Sequence, residues 1–143
     1  MEIGEGTIIY PFTNVYGCKI GSHCLVANFV EIGKGVKIGN FCRIQAFAFI
    51  PEGVTLGDNI FIGPHVCFIN CRYPKANRKT GSMEIEKTVV EDDVSVGAGS
   101  IIMCGVTIGK GAIIGAGSLV LKDVGMGEMF IQKRERVIYG EPI

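Results

Sequence analysis

Residues 20–68 read IGSHCLVANFVEIGKGVKIGNFCRIQAFAFIPEGVTLGDNIFIGPHVCF, and their spacing decides the fold. Large apolar residues fall at every sixth position: Ile20, Val26, Ile32, Ile38, Ile44, Ile50, Leu56, Ile62 and Phe68. Glycine follows directly at Gly21, Gly33, Gly39, Gly57 and Gly63. Four places after each apolar residue stands a small or branched one: Cys24, Val30, Val36, Cys42, Ala48, Val54, Ile60 and Val66. Neither the 3.6-residue period of a helix nor the alternation of a half-buried strand produces this pattern. A six-residue strand and turn cannot bury its apolar face alone, so the units must stack. Three units closing a triangle give an 18-residue coil, in which residues 18 apart lie over one another at about 4.8 Å.

Working outward, the phase extends back to Ile8 and is broken by Asn14, then resumes after an interruption at Val90, Val96, Ile102, Ile108, Ile114 and Val120. Predicted inward columns are Ile8-Val26-Ile44-Ile62, Ile20-Ile38-Leu56 and Ile32-Ile50-Phe68. The expected architecture is a single all-β domain over 1–143, a parallel β-helix of hexapeptide repeats. Its coils span about 3–69 and 88–124, with a protruding loop at 70–87 and a C-terminal tail at 125–143.

With 48% hydrophobic and 20% charged residues the chain is globular. Fourteen basic residues balance fourteen acidic ones, which gives no electrostatic reason to expect nucleic acid or an anionic membrane as partner. No apolar run approaches the roughly 20 residues that span a bilayer. The expected location is the cytoplasm.

Between Phe68 and Val90 the spacing is not a multiple of six, so the chain must leave the prism. The segment carries Arg72, Lys75, Arg78, Lys79 and Lys87 against Glu84 and Glu86. Long loops on a compact fold tend to carry function, and a local basic excess suits a phosphate-bearing ligand.

The residues at the edge of this loop carry a resemblance. Gly63-Pro64-His65-Val66-Cys67-Phe68-Ile69-Asn70 followed by Tyr73-Pro74 resembles a signature of the hexapeptide-repeat acyltransferases. The signature is that of N-acetyltransferases of nucleotide-linked amino sugars in bacterial polysaccharide synthesis. Ile44-Gln45, Glu52-Gly53-Val54, Gly97-Ala98, Cys104 to Gly109, Gly115 to Ser118 and Lys122-Asp123-Val124 extend the likeness. Cys71 stands where relatives carry aspartate, Lys75 where they carry arginine, and Ala46-Phe47-Ala48 where they are often polar. Phe130 to Arg136 replaces their usual final turn.

The resemblance implies a left-handed coil, a homotrimer with the active site between neighbouring prisms, and acetyl-CoA as co-substrate without a metal. The acceptor it implies is a UDP- or dTDP-linked amino sugar. Asn70 takes the role of aiming the acceptor amine, and His65, three places after Ile62 and therefore outward, is a base or a ligand contact. Gln45, Phe47, Arg72, Tyr73 and Lys75 fall to the sugar nucleotide. Gly97, Ala98, Gly115, Ala116, Lys133 and Arg134 fall to the coenzyme. Without the resemblance, His65 is an exposed imidazole, Asn70 a turn cap and the glycines turn residues.

Other functions fit less well. O-acetyltransferases of this family place a histidine in the loop, and 70–87 holds none. A metal hydrase needs three histidines, and the chain has two. A non-catalytic binding β-helix remains the alternative outside enzymes, although the regular Thr-x-Thr ladders of an ice-binding helix are missing. No Cys-x-x-Cys pair suggests zinc. Cys24 and Cys42, 18 apart, should lie over one another as reduced thiols.

Overall fold

The computed structural model describes the chain except for Arg78, 80–82, 138–139 and 141–143. The first coil carries β1 (Glu2–Ile3), β2 (Ile8–Ile9) and β3 (Asn14–Val15). The second has β4 (Lys19–Ile20), β5 (Leu25–Val26) and β6 (Glu31–Ile32). In the third are β7 (Lys37–Ile38), β8 (Arg43–Ile44) and β9 (Phe49–Ile50), and in the fourth β10 (Val54–Leu56), β11 (Phe61–Ile62) and β12 (Cys67–Phe68). After the loop come β13 (Thr88–Val90), β14 (Ser95–Val96) and β15 (Ile101–Ile102), then β16 (Thr107–Ile108), β17 (Ile113–Ile114) and β18 (Leu119–Val120). A seventh, partial coil ends in β19 (Met129–Phe130), which pairs with β17, so the prism continues into the tail.

Every third strand pairs in parallel with the one a coil away, which builds three walls. The first wall is β1-β4-β7-β10-β13-β16, the second β2-β5-β8-β11-β14-β17-β19 and the third β3-β6-β9-β12-β15-β18. The coils wind left-handed, against the rule for parallel crossovers. Inside, the predicted columns close: Ile20-Ile38-Leu56-Val90-Ile108, Val26-Ile44-Ile62-Val96-Ile114 and Ile32-Ile50-Phe68-Ile102-Val120 are all buried. Each such side chain withdrawn from water contributes about 1.5–3 kcal/mol before the entropy of ordering is counted.

The first coil corrects the sequence reading. Ile3 pairs with Ile20, Ile9 with Val26 and Val15 with Ile32, each 17 residues on rather than 18. Ile9 packs against the core while Ile8 is 54% exposed, so the column starts at Ile9 and Asn14 faces outward beside the inward Val15. The apolar failure at Asn14 was therefore a one-residue change of phase. The missing residue falls in the turn between Val15 and Ile20, where Gly17 takes φ 59°. Because side chains alternate between faces, a shift of one residue moves a whole strand's set to the other side.

That register is open to a direct test. Ile9→Asn buries a polar group against the core and should lower the unfolding free energy by about 1–3 kcal/mol. Ile8→Asn should change it by less than about 0.5 kcal/mol. Denaturant melts giving the reverse order would restore the 18-residue first coil.

Candidate active site

Three edges join the walls, and the chemistry-bearing residues collect on two of them. The second edge, between the second and third walls, starts with an exposed column of rings. Phe12 stacks on Phe29 at 5.6 Å, Phe29 on Phe47 at 5.1 Å, and Phe47 on His65 at 4.8 Å, with planes within 13° of parallel. All four corner residues have φ between 59° and 63°, a conformation that costs bulky residues on the order of 1 kcal/mol or more. Ring stacking at about 0.5–1.5 kcal/mol per pair offsets part of that.

Above His65 the same corner carries no side chains. Gly99 and Gly117 take its place in the next two coils, at φ 69° and 67°. Gly97 and Gly115 precede them, and Ala98 and Ala116 lie exposed between. The backbone amide of Gly99 donates to the Pro64 carbonyl and that of Gly117 to the Ala98 carbonyl. Two coils of nearly bare backbone thus continue upward from the imidazole. The tail closes the top of this edge: Gln132 pairs with both the amide and the carbonyl of Leu119, and the Arg134 guanidinium donates to the Gly117 carbonyl.

The third edge, between the third and first walls, releases the loop. Asn70 is half-buried at its start; its Nδ2 donates to the Glu52 carbonyl at 3.0 Å and its own carbonyl accepts from the Glu86 amide at 3.1 Å. This engages one end of the carboxamide and leaves Oδ1 as the atom that can accept from an amine. Arg72 places Nε and one Nη on the two Glu86 oxygens at 3.0 and 3.1 Å, and the same Nη donates to the Cys104 carbonyl. The Cys104 thiol in turn donates to Glu86 at 3.1 Å.

The hydrogen bonds from Arg72, then the one from Cys104, hold the Glu86 carboxyl below its usual range. Burial and then the contact with Glu86 push the Cys104 thiol up. Since the Glu86 pKa is depressed on folding, the pair is intact at neutral pH and is lost only as pH falls through that lowered value.

The residues assigned from the sequence therefore divide. Gln45, Phe47, His65, Gly97, Ala98, Gly115, Ala116 and Arg134 share the second edge, with Lys133 exposed in the adjoining tail. Asn70, Arg72, Tyr73 and Lys75 belong to the third, where Tyr73 and Lys75 are exposed. His65 and Asn70 flank β12 on opposite sides, five residues and at most about 16 Å apart, so they stand on different edges. Arg78 lies outside the described residues.

Three features escaped the sequence reading: Glu86 and Cys104 as partners of Arg72, and the ring column below Phe47. The column had a signal, since Phe12, Phe29, Phe47 and His65 are spaced by 17, 18 and 18.

Cys42 donates its amide to the Cys24 Sγ at 3.3 Å, so the two thiols lie one coil apart as their spacing implies. Among the described residues no group of three or more His, Cys, Asp or Glu could hold a metal ion, and no helix is long and apolar enough to cross a membrane.

Comparison with known proteins gives this architecture a family. The sequence profile described as bacterial transferase hexapeptide (six repeats) matches residues 1–34, 35–70 and 87–122. The chain belongs to that family. Curated relatives include the bifunctional protein GlmU of Acinetobacter baumannii (strain AYE), 32% identical over 136 residues, and that of Polaromonas sp. (strain JS666 / ATCC BAA-500), 28% identical over 138. These alignments cover 94% and 96% of the hexapeptide chain but only 28% and 26% of the relatives, so it spans about a quarter of their length.

Among solved structures, a point mutant of AntD, an N-acyltransferase from Bacillus cereus in complex with dTDP-4-amino-4,6-dideoxyglucose and coenzyme A, aligns with a TM-score of 0.80 at 22% identity. That match covers 99% of the chain and 84% of AntD. The acetyltransferase domain of PglB from Neisseria gonorrhoeae FA1090 with acetyl coenzyme A gives 0.73 at 17%, covering 87% and 53%. At these identities the likeness establishes the shared fold.

The glycines of the second edge have a structural duty that can be measured. A Cβ on Gly97 would sit 2.7 Å from the Ala116 Cα, against backbone that cannot yield, whereas on Gly115 the nearest atom would be 3.3 Å away. Gly97→Ala should cost about 1–3 kcal/mol of stability and Gly115→Ala distinctly less. Equal melting temperatures for the two variants would contradict this packing.

Proposed function

We infer that the protein is an acetyl-CoA-dependent N-acetyltransferase whose acceptor is a nucleotide-linked amino sugar, acting in the cytoplasm in polysaccharide synthesis. The observation that carries this reading is the second edge, where two coils of side-chain-poor backbone run upward from an exposed imidazole. An extended pantetheine arm can lie along Gly97-Ala98-Gly99, where the space beside Gly99 is open, and run on toward Gly117 and the Arg134 guanidinium, bringing its thioester toward His65. In this reading Lys133 and Arg134, exposed in the adjoining tail, supply the cations for the coenzyme's phosphates. The complexes of AntD with a dTDP-amino sugar and coenzyme A, and of PerB from Caulobacter crescentus with coenzyme A and GDP-perosamine, support an acceptor of this class. UDP and dTDP remain the nucleotides the sequence signature favours.

In this reading the Asn70 Oδ1 accepts a hydrogen bond from the neutral amine and aims its lone pair at the thioester carbonyl. His65 or the departing thiolate takes the proton, since a carboxamide is no base at neutral pH. With His65 and Asn70 on different edges of one prism, a site that uses both takes them from two chains, as in the homotrimer the resemblance implies. Outward residues of the first wall are Glu2, Lys19, Lys37, Thr55, Val89 and Thr107. The third wall presents Asn14, Glu31, Phe49, Cys67, Ile101 and Leu119, and the second Ile8, Leu25, Arg43, Phe61, Ser95, Ile113 and Met129, so apolar residues predominate on both. Exposed apolar residues concentrated on the second and third walls suit burial against other prisms, and three prisms close a head-to-tail ring.

Two measurements test the reading. Acetyl-CoA consumption against UDP-, dTDP- and GDP-linked amino sugars should reveal one preferred acceptor, and turnover with hydroxylated sugars instead would make the enzyme an O-acetyltransferase. Asn70→Ala should lower kcat and kcat/KM together, on the order of a hundredfold. If kcat survives and only the melting temperature drops, Asn70 merely caps the loop, and a dead His65→Ala beside it would move catalysis to histidine.

Assembly has its own probe. Ile101→Asp, at a position 41% exposed in the isolated chain, should split the trimer to monomers and abolish turnover while leaving the β-sheet circular dichroism intact. A wild-type protein that sediments as a monomer while turning over would overturn the shared site.

A further inference from the structure

Arg72 begins the loop and Glu86 ends it, and the contacts between them reach coils on both sides. The Arg72 fork on Glu86 is bidentate, and its third hydrogen bond goes to the Cys104 carbonyl one coil above. On Glu86 the carboxylate also takes the Cys104 thiol, and the amide is spent on the Asn70 carbonyl. Below, the Asn70 side chain reaches the Glu52 carbonyl.

The neighbouring glycines record the same fit. On the third edge, Gly35, remote from the loop, has nothing within 4 Å of where a Cβ would stand. At Gly53 that space holds the Ile85 Cγ2 at 2.7 Å, and at Gly105 it holds a Glu86 oxygen at 3.2 Å and an Arg72 Nη at 3.6 Å. The two ends of the loop are thus fitted into positions that only side-chain-free corners leave open.

We propose that Arg72, Glu86 and Cys104 form a fixed neck that presents the loop and Asn70 in their working pose, and that recognition of the acceptor's diphosphate falls to Lys75 at the exposed part of the loop. This rests on the functional reading above for the identity of the ligand, though not for the neck itself. Arg72 is then a positioning residue. To reach a phosphate it would have to leave two carboxylate oxygens and a carbonyl, stranding the carboxylate and the thiol behind it. With side chains 38% and 40% exposed the pair is worth little as a stabilising contact, so its value lies in geometry. Lys75, three residues on, is exposed and free of that bonding.

The test uses the full-length protein in two arms. In the first, hydrogen exchange follows the peptide holding the Glu86 amide. Arg72→Ala and Glu86→Gln should each raise its exchange rate at least tenfold, and the double variant should add little to either. Unchanged protection in both single variants would overturn the neck whether or not the protein is an acetyltransferase.

In the second arm, UDP, dTDP and GDP are titrated and acceptor kinetics are measured with the preferred sugar. Lys75→Ala should weaken binding of the preferred diphosphate about tenfold and raise the acceptor KM. Arg72→Ala should leave that affinity within about twofold while lowering kcat about tenfold. A tenfold loss of diphosphate affinity in Arg72→Ala, with kcat kept and Glu86→Gln silent, would make Arg72 the phosphate ligand and refute the proposal. If no diphosphate binds the wild-type protein, the assignment of Lys75 falls together with the nucleotide-sugar reading, and the exchange arm alone judges the neck.

Discussion

Each residue of the prism lies about one strand spacing above or below a residue in the same structural position, and the rest of the architecture follows from that stacking. The three columns of large inward residues are apolar along their whole height, because an unpaired polar member would face only apolar neighbours. Corner columns repeat a single backbone conformation, so a device that satisfies one corner tends to recur. On the first edge the amides of Ser22, Asn40 and Asp58 each donate to the side-chain oxygen one coil above, from Asn40, Asp58 and Asp92. On the second edge the recurring device is the ring column, with glycine replacing it above His65. Ser100 and Ser118, buried at inward corner positions, likewise satisfy one another and the Gly115 carbonyl.

The fold was legible because stacking writes itself into the sequence as a period. Legibility ended where the period became ambiguous. At the first coil, Ile8 and Ile9 are both apolar, and only the neighbouring pair Asn14 and Val15 distinguishes the registers. The six-residue count favoured Asn14, whereas the cost of burying its carboxamide favours Val15. A shortened turn at Gly17 absorbs the difference, and nothing in a count of hexads marks it.

The site was legible by parts. His65, Asn70 and the paired glycines fell out of a motif, but the motif says nothing about corners. Five residues within one hexapeptide unit cross a wall, so His65 and Asn70, adjacent on paper, occupy different edges. Charge counting saw Arg72 as one of five loop cations and missed its partner Glu86, which is 14 residues away across a loop with no period. Long-range pairing of that kind is invisible to local pattern. On the proposed reading, a site shared between prisms takes its two halves from separate edges.

Linear stacking also determines how the molecule comes apart. Coils bond only to their immediate neighbours, so loss of structure resembles a zipper opened from either end, one coil at a time. The neck interrupts that sequence. Through Glu52, Asn70 and Cys104 it ties the third, fourth and fifth coils to one another, alongside the hydrogen bonds of the walls. An opening front arriving from the first coil or from β19 meets three coils that must release together. The segment that departs from the repeat thereby cross-links three coils near the middle of the prism.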